Sequence, residues 1–501
     1  MALSGAVGAF VLILSVPIIV ARLGPEGYGV WECMLAVSST AMVFQAAING
    51  TLLWRISLNC GFQNASECRR LVSMGVGATI LLIVVFVPTV WFWRNSIVSG
   101  LNVPEQWIAQ TRWLLPQIVL LMLLGGVNQA LLALIAGYQK AGLAALIQSL
   151  GLVVTHVTAI GVLLAGGNLN ALLWGMIAGF FVVLLVSYAV ATALCGRLPL
   201  WPSMPSSQDL VVLAPFVGLL ILSNLTLVLR DHIDKLLLAS WGSPAEAGNF
   251  AIAQRFSLVV MQVGGTVCLP LTAAVGSLYA VQNWNAIRHL YAQVSTWLVI
   301  STGLLGFLIC TLREPLFVLW LGADQPQAQG YLVVLLFGGT SALVFSGAGV
   351  ALAKGVGRPG LETAYTVVTC VLILITKPAL IAVLGAGGCV ISSALSWCLG
   401  AIYFLFMLHR RLDLPREIIA RSGGIFLLTV VVSTIGWILT SRFSLSASGR
   451  LEAALLLVVA GLPLVACYLG VLTLFRLIPT PFRLFSILRE PQVAVLKETS
   501  A

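Results

Sequence analysis

The feature that most constrains this chain is the recurrence of long apolar runs. Runs of more than twenty residues without a charged side chain occur at 71–93 and 453–475, and similar runs fill nearly the whole sequence. A bilayer core of about 30 Å needs about 20 apolar residues per helix, so each run is long enough to cross it. The runs are continuously apolar rather than alternating, which argues against transmembrane strands. With 60% hydrophobic and 8% charged residues, the chain is predicted to be an integral membrane protein.

Polar, charged and Gly/Pro-rich stretches divide the chain into about fourteen predicted transmembrane helices. Their approximate ranges are 3–21, 29–53, 71–93, 113–136, 143–165, 171–195, 210–239, 248–275, 291–312, 329–353, 361–384, 389–408, 423–440 and 451–475. The longest internal loops are expected near 54–70, 94–112 and 313–328, which leaves no room for a soluble domain. The function must therefore be carried by side chains among the helices.

The distribution of lysine and arginine predicts the orientation. Sixteen of these residues lie in loops after even-numbered helices or in the C-terminal tail, six lie on the opposite side, and four lie within helices. The positive-inside rule then predicts that both termini of this multi-pass protein lie in the cytoplasm. The membrane is expected to be the cytoplasmic (inner) one. This spread also explains the net charge of +10 without nucleic acid as a partner.

The sequence contains an internal repeat with a shift of about 219 residues. Three matches occur in order near this shift: GPEGYG at 24–29 with SPAEAG at 243–248, Arg94 with Arg313, and GYQKAGL at 137–143 with GVGRPGL at 355–361. The shift spans six helices, an even number, so the two halves would have parallel topology around a pseudo-two-fold axis along the membrane normal.

The expected fold class is an all-α membrane protein built from two pseudo-symmetric six-helix lobes. The predicted divisions are an N-terminal lobe at 1–200, a C-terminal lobe at 210–408, two further helices at 423–475 and a cytoplasmic tail at 476–501. Parallel repeats of this kind occur in one class of transporters.

Predicted helix 7 holds the densest group of charges. Ionisable side chains within a membrane cost roughly 2.5–3.5 kcal/mol each on insertion scales, so they face a cavity or a partner. Arg230 with Asp234, and Asp231 with Lys235, have the four-residue spacing that closes ion pairs along a helix. Two interpretations stay open: a self-compensated helix end near the outer interface, or the lining of a transport lumen.

Two further cations have no acid at helical spacing in their own segments. Arg255 on predicted helix 8 shares a face with Gln262, seven residues on, and points to an aqueous cavity, an anionic ligand or an acid of helix 7. Lys377 on predicted helix 11 precedes Pro378, which is expected to kink or interrupt that helix. Lys377 either faces the lumen or extends along its stem toward the outer interface.

The N-terminal half offers polar side chains but no interior lysine or arginine. They are Gln45, Asn49, Asn128, Gln129 and His156. The four amides either line the lumen or bond across helices, and spacing does not separate the two. His156 is expected to be a hydrogen-bonded packing residue rather than a proton relay.

No motif in the sequence indicates an enzyme. The chain has no Walker motif, HExxH, GxSxG or acid pair on an exposed loop, and its ten cysteines lack metal-ligand spacing. No cofactor and no metal are therefore expected. Gly29, Gly248 and the glycine-rich turn at 385–388 are interpreted as backbone punctuation.

Two segments resemble the Wzx-type polysaccharide flippases, the polysaccharide-transporter branch of the multidrug/oligosaccharidyl-lipid/polysaccharide exporter superfamily. They are VARLGPEGYGVW at 20–31, and DKLLL at 234–238 followed by GNFAIAQR at 248–255. The resemblance implies a V-shaped central cavity and alternating access that moves a polyprenyl-pyrophosphate-linked oligosaccharide to the outer leaflet, for lipopolysaccharide or exopolysaccharide synthesis. It also implies membrane lipids and polysaccharide polymerase machinery as partners, and coupling to a proton gradient, a sodium gradient or the membrane potential.

The resemblance gives the candidate residues roles. The pyrophosphate candidates are Arg255, Lys377 and Arg230. The two arginines are candidates because a guanidinium donates two hydrogen bonds to phosphate at once, and Lys377 because it is an interior cation. The coupling or gating candidates are Asp231, Asp234 and Lys235. The glycan-facing candidates are Gln45, Asn49, Asn128, Gln129 and Gln262.

Three other functions compete with this interpretation. A cation-coupled multidrug or organic-cation antiporter of the same fold should show an uncompensated interior acid, whereas Asp231 and Asp234 have basic neighbours at helical spacing. A glycan polymerase or ligase should carry a large outer loop with acid and base residues. A scramblase or structural protein would not need interior cations. The flippase is favoured, with the antiporter as its main alternative.

Overall fold

The computed structural model describes residues 2–61, 65–196, 202–203, 206–358, 360–442, 449–474 and 477. Over these ranges the chain forms α-helices and two π-helical turns, with no strand. The helices are α1 (Ala2–Gly61), α2 (Ala65–Gly100), α3 (Glu105–Ile135), α4 (Ala141–Leu164), α5 (Leu169–Cys195), α6 (Ser207–Trp241), α7 (Pro244–Ala280), α8 (Trp284–Thr311), α9 (Arg313–Leu321), α10 (Pro326–Ala342), α11 (Ala348–Gly355), α12 (Gly360–Leu412), α13 (Arg416–Arg442) and α14 (Arg450–Leu474). The π-helical turns are Ala136–Lys140 and Leu343–Gly347.

Every predicted span has a helical counterpart. Helix α1 contains the first two spans and α12 contains the eleventh and twelfth, while α10, the second π-helical turn and α11 together form the tenth. Ten helical stretches in the described ranges are long and apolar enough to cross a bilayer. The prediction of an all-α, multi-pass membrane protein is confirmed.

The two longest helices turn at glycines. Gly24 in α1 has φ 72° and Gly385 in α12 has φ 58°, a left-handed conformation that a side chain with a Cβ disfavours. The turn expected at 385–388 therefore lies at Gly385, and the interruption expected at Pro378 does not occur. Helical backbone continues through Pro378, whose ring removes one hydrogen bond without taking the backbone out of the helical region.

The loops are shorter than predicted. Only 62–64 separates α1 from α2, only four residues separate Gly100 from Glu105, and the loop expected at 313–328 contains α9. Polar residues mark where the hydrocarbon ends, and a helix can continue beyond that point. At 1.5 Å per residue the 36 residues of α2 extend about 54 Å, well past a core of about 30 Å.

Backbone conformation follows the predicted repeat. Asn102 (φ 48°) ends α2, and Gly322 (φ 79°), 220 positions later, ends α9. Gly166 (φ 99°) and Gly385 (φ 58°) are 219 positions apart. Left-handed residues thus recur at the shift found from short sequence matches, which supports a common architecture for the two halves.

The chain divides into two compact units, Met1–Ile252 and Ala253–Ala501. In the first, an apolar core around Leu131, Leu134 and Ile56 joins α1, α2 and α3. In the second, Phe404 and Leu298 belong to a core formed by α7, α8, α11 and α12. The lobe boundaries expected from the repeat stay a prediction, and the expected tail at 476–501 lies outside the described residues except for Leu477.

Candidate transport gate and ligand-facing residues

A buried ion pair joins α1 to α6. The Nζ atom of Lys235 lies 2.7 Å from Oε2 of Glu32, and the two side chains are only 5% and 3% exposed. Tyr28, one turn before Glu32, donates its hydroxyl to Oε1 at 2.8 Å. The thiol of Cys33 donates to the backbone carbonyl of Lys235 at 3.7 Å. Removing either charge would leave the other buried without it, which is costly in a low-dielectric site.

Two motif glycines bring α1 and α7 into backbone contact beside this pair. A Cβ atom on Gly29 would overlap the carbonyl oxygen of Pro244, and one on Gly248 would overlap the carbonyl oxygen of Pro25. Both glycines lie inside helices, so their interpretation as backbone punctuation was wrong. They are contact residues, and the two segments that the repeat aligns pack against each other.

The α2–α3 turn reinforces the same end of the helices. Gln106 donates its side-chain amide to Oε2 of Glu26 at 2.8 Å, and Asn102 donates to the backbone carbonyl of Ser240 at 2.7 Å. Asn102 is the left-handed residue that ends α2, so the break in the helix aims its amide at the end of α6. Helices α1, α6 and α7 are therefore held together at one end by a buried ion pair, a glycine contact and polar side chains.

Glu32 is the functional candidate that sequence reasoning missed. Local spacing indicated ion pairs within predicted helix 7, whereas the structure gives Lys235 an acid from α1 and gives Arg230 the adjacent Asp231, at 2.8 Å. A signal was present, because Glu32 is the only charged residue between Glu26 and Arg55. The rule that singled out Arg255 applies equally to an acid in an apolar run.

The remaining charges of α6 differ in burial. The side chains of Arg230 and Asp231 are 25% and 43% exposed, so solvent screens their interaction. Asp234 is fully buried, at 0% exposed. Of the gating candidates, Lys235 and Asp234 thus lie inside the helix assembly, and Asp231 lies at its surface.

The cationic candidates of the second unit occupy different environments. Arg255 is partly buried on α7, and Gln262 is exposed two turns further on. The next residue after Arg255, Phe256, packs against Trp320 of α9 with ring centroids 4.6 Å apart, which fixes this turn of α7. Arg255 therefore lies, partly buried, on a turn of α7 that aromatic packing holds in place.

Lys377 is buried rather than extended toward an interface. Its side chain is 2% exposed, and the adjacent Thr376 shares hydrogen bonds with the hydroxyls of Ser392 at 2.6 Å and Ser396 at 3.2 Å. The two helical parts of α12 on either side of Gly385 therefore contact each other through hydroxyl groups beside this lysine. In this conformation Lys377 does not present its ammonium group to solvent, so contact with a ligand requires a movement of α12.

One amide of the N-terminal half, Gln45, bonds across helices. Gln45 is fully buried and donates to Oγ1 of Thr79 at 3.2 Å and to Oδ1 of Asn49 at 3.3 Å. A Cβ on Gly126 would overlap this amide, so α3 leaves room for it. For Gln45 the structure favours bonding across helices over lining a lumen.

Three other polar residues of this half are spread over α3 and α4. Asn128 is 8% exposed, Gln129 is partly exposed, and Nδ1 of His156 lies 2.9 Å from the backbone carbonyl of Leu152. A hydrogen bond within its own helix agrees with a packing role for His156. Among the described residues no group of three or more His, Cys, Asp or Glu side chains could hold a metal ion.

The opposite end of α6 is tied to α2 by a bidentate ion pair. Nη1 and Nη2 of Arg70 each lie 2.9 Å from an oxygen of Asp209, and the same guanidinium contacts Glu67. Asp209 also forms a capping box with Ser206 at the first turn of α6. The Arg70 guanidinium, with help from Ser206, holds the pKa of Asp209 well below its usual range.

Asp209→Asn is expected to lower the thermal unfolding midpoint slightly at pH 7. Because the folded-state pKa is depressed, the carboxylate stabilises the fold above its unfolded pKa of about 3.9 and loses this contribution as pH falls below that value. The Arg70 side chain is 42% exposed, so we expect at most about 1 kcal/mol. Unfolding midpoints of both proteins in detergent at pH 7 and pH 3 check this. A difference that stays constant over this range would contradict it.

Comparison with known proteins places this geometry in a fold. No protein-family model matches the chain, and no curated protein matches it. The lipid II flippase MurJ in an inward closed conformation superposes with a TM-score of 0.70 at 11% identity, covering 94% of this chain and 96% of that chain. An inward-facing multidrug resistance MATE family transporter of the MOP superfamily gives 0.65 at 15% identity, covering 82% and 98%. A MOP superfamily transporter from Pyrococcus furiosus gives 0.59 at 16% identity, covering 82% and 94%. The chain therefore has the fold of the MOP superfamily of transporters and flippases.

Proposed function

We propose that this protein moves a polyprenyl-pyrophosphate-linked oligosaccharide from the cytoplasmic to the outer leaflet by alternating access, for synthesis of a surface polysaccharide. The observation that carries the proposal is the closed contact of α1 with α6 and α7. Glu32 and Gly29 follow the first predicted hairpin of one half of the repeat, and Lys235 and Gly248 flank the corresponding hairpin of the other. Separation of these two hairpins is the movement that alternating access requires.

The contact has the chemistry of a gate. Its ion pair buries two charges that neutralise each other, and its glycines allow α1 and α7 to approach at backbone distance. When the hairpins separate, water or a polar ligand solvates the two charges and offsets the lost pair. A contact with two separate stable arrangements is the kind of element that switching transporters use.

The cations favour an anionic headgroup. Arg255 lies in the segment that resembles the polysaccharide flippases and is partly exposed on a fixed turn of α7, so it is the leading pyrophosphate ligand. Lys377, buried on α12, joins it only after movement near Gly385. A lipid-linked cargo also agrees with the MurJ superposition, which covers 94% of the chain, against 82% for the MATE transporter.

The membrane, the driving force and the partners of transport are proposed from the same resemblance. The protein acts in the cytoplasmic membrane with both termini in the cytoplasm, and a proton gradient, a sodium gradient or the membrane potential drives transport without a cofactor. Its partners are the glycolipid, membrane lipids and a polysaccharide polymerase that uses the translocated product.

A cation-coupled multidrug antiporter of the same fold is the second candidate. The MATE superposition and two buried acids, Glu32 and Asp234, favour it, because such exchange needs an interior carboxylate that can bind a proton or an organic cation. Lys235 neutralises Glu32 in this conformation, which reduces its ability to bind a cation. The flippase is therefore preferred.

Arg255→Ala is expected to weaken glycolipid binding by about ten- to a hundredfold. This is the effect expected from losing the charge-assisted hydrogen bonds between the guanidinium and the pyrophosphate. Native mass spectrometry of the protein in mild detergent, with polyprenyl-pyrophosphoryl oligosaccharide added, measures this directly. Arg94→Ala is the matched control, since Arg94 stacks on Trp91 at the end of a span, 3.8 Å from the ring centroid. The control should bind as the unaltered protein does.

The other outcomes separate the hypotheses. Undiminished binding by Arg255→Ala would keep the flippase and discard Arg255 as its ligand. Failure of the unaltered protein to bind glycolipid, together with saturable binding of an organic cation such as ethidium, would replace the flippase by the antiporter. In that case Glu32→Gln, rather than Arg255→Ala, should abolish the binding of the cation.

A further inference from the structure

The second unit contains a cavity that none of the transport candidates lines. It has a volume of about 580 Å³ and lies between α8, α9, α10 and α13. This volume is within the range of small-molecule sites, about 300–1,000 Å³. The lining along α10 runs from Pro326 to Val344, a rise of about 27 Å at 1.5 Å per residue. The cavity is therefore an elongated groove that follows the helices for much of the depth of a bilayer.

The lining is divided between a polar end and an apolar length. The polar end, where α8, α9 and α10 meet, is lined by Arg313, Glu314, Asp324 and Gln329. The length of the groove is apolar and aromatic, with Phe307, Val333, Phe337 and Phe426 among its residues. A ligand with one charged end and a long hydrocarbon tail matches this distribution.

The groove is open along its side. Phe337 on α10 is 47% exposed and Trp437 on α13 is 44% exposed, and both line it within stretches apolar enough to span a membrane. A groove of this kind meets lipid rather than water along its length, so a lipid chain can enter it sideways. The centroid of the Trp437 ring also lies 5.8 Å from Cζ of Arg313. Tryptophans are enriched at the level of lipid headgroups, so this position agrees with a headgroup site at the polar end.

The charges at the polar end specify the headgroup. Arg313 is 14% exposed, donates to the backbone carbonyl of Cys310 at 3.2 Å and lies 3.6 Å from Glu314. Asp324 accepts a short hydrogen bond from Gln329. One guanidinium and two carboxylates complement a group that carries a phosphate and an ammonium together. An anionic headgroup without an amine would leave the carboxylates facing a phosphate.

We propose that this groove is a binding site for an aminophospholipid of phosphatidylethanolamine type. The phosphate pairs with Arg313, the ammonium group donates to Glu314 and Asp324, and one acyl chain lies along α10 and α13. From the distribution of lysine and arginine, the polar end is expected at the outer surface, so the lipid comes from the outer leaflet. The site is independent of the cargo: it requires neither Arg255 nor the α1–α6–α7 gate.

Gly330→Phe tests the site by filling it. Gly330 lines the groove, and a Cβ there meets no atom within 4 Å, so the ring can occupy the groove without displacing the backbone. Gly161→Phe on α4 is the control, because its Cβ is equally unobstructed and it does not line the groove. Native mass spectrometry would compare lipid adducts after addition of phosphatidylethanolamine, phosphatidylcholine or phosphatidylglycerol with identical acyl chains.

We expect phosphatidylethanolamine to bind about tenfold more tightly than either other lipid, the value of one charge-assisted hydrogen bond. Gly330→Phe should abolish this preference, Glu314→Gln should reduce it, and Gly161→Phe should leave it intact. Arg313→Gln should weaken the binding of all three lipids alike, because each carries the phosphate. Equal retention of the three lipids, or preference for phosphatidylglycerol, would overturn the headgroup assignment. Unchanged adducts in Gly330→Phe would overturn the site. Displacement of the adduct by polyprenyl phosphate would identify the occupant as the cargo tail.

Discussion

Glu32→Gln is expected to destabilise the folded protein by roughly 3–5 kcal/mol, the cost of leaving one member of a buried ion pair without its partner. The 2.7 Å contact with Lys235 lies among side chains that are at most 5% exposed, so no solvent replaces the lost charge. Lys235→Met should have a similar effect, because it removes the Lys235 ammonium group from the buried Glu32 carboxylate. Thermal unfolding midpoints in detergent measure both.

The double variant Glu32→Gln/Lys235→Met separates the pair from its members. Removing both charges eliminates the unpaired ion, so most of the stability should return. Glycolipid transport should stay impaired, because the gate then lacks the charges whose hydration offsets the free-energy cost of separating the hairpins. Arg230→Gln/Asp231→Asn is the matched control on the same helix; its pair is 25% and 43% exposed, and solvent screening limits its effect to about 1 kcal/mol.

Two results would contradict this account. Single variants with the unfolding midpoint of the unaltered protein would show that the pair contributes no stability. A double variant as unstable as the sum of the two single losses would show that Glu32 and Lys235 act separately, through other neighbours. Either result would remove the ion pair from the proposed gate while leaving the glycine contact to be tested by itself.

The helices were predictable because the bilayer imposes one physical requirement on every span. About 20 apolar residues cross the hydrocarbon, so counting such runs located each span whatever its neighbours. Helix ends were less predictable, as α2 shows. Its polar turn after Trp93 leaves the hydrocarbon but keeps its backbone hydrogen bonds, and the helix continues to Gly100. Helix α12 turns at Gly385, which adopts a positive φ, and not at the more conspicuous Pro378.

The site was predictable only where its information is local. Four-residue spacing can suggest pairs within one helix, but Glu32 and Lys235 are 203 positions apart and meet only through tertiary packing. The repeat aligned Gly29 with Gly248, and yet alignment does not reveal that the two residues lie in one contact. Lys377 illustrates the same limit, since a lysine in an apolar run does not by itself indicate whether it faces a cavity or a packed interior.

Gly29→Ala should open the contact between α1 and α7. The added methyl group would overlap the carbonyl oxygen of Pro244, an atom of the backbone that cannot rotate away, so one helix must shift. Overpacking of this kind costs about 1–3 kcal/mol. If the gate has two states, this shifts its equilibrium constant about five- to 150-fold toward the separated arrangement. Hydrogen–deuterium exchange of segments 24–32 and 244–252 measures the change and should rise. Gly218→Ala on α6 is the control, because its methyl group would meet no atom within 4 Å.

The same variant also tests whether the glycines and the ion pair form one element. If α1 moves away from α7, the Glu32–Lys235 contact should be weakened as well, since Glu32 lies less than one turn from Gly29 on the same helix. Gly29→Ala added to the Glu32→Gln/Lys235→Met protein should then raise exchange less than it does in the unaltered protein, because part of the contact is already lost. Strict additivity would mean two independent contacts, and unchanged exchange in Gly29→Ala would mean that α1 and α7 tolerate a wider separation than a closed gate permits.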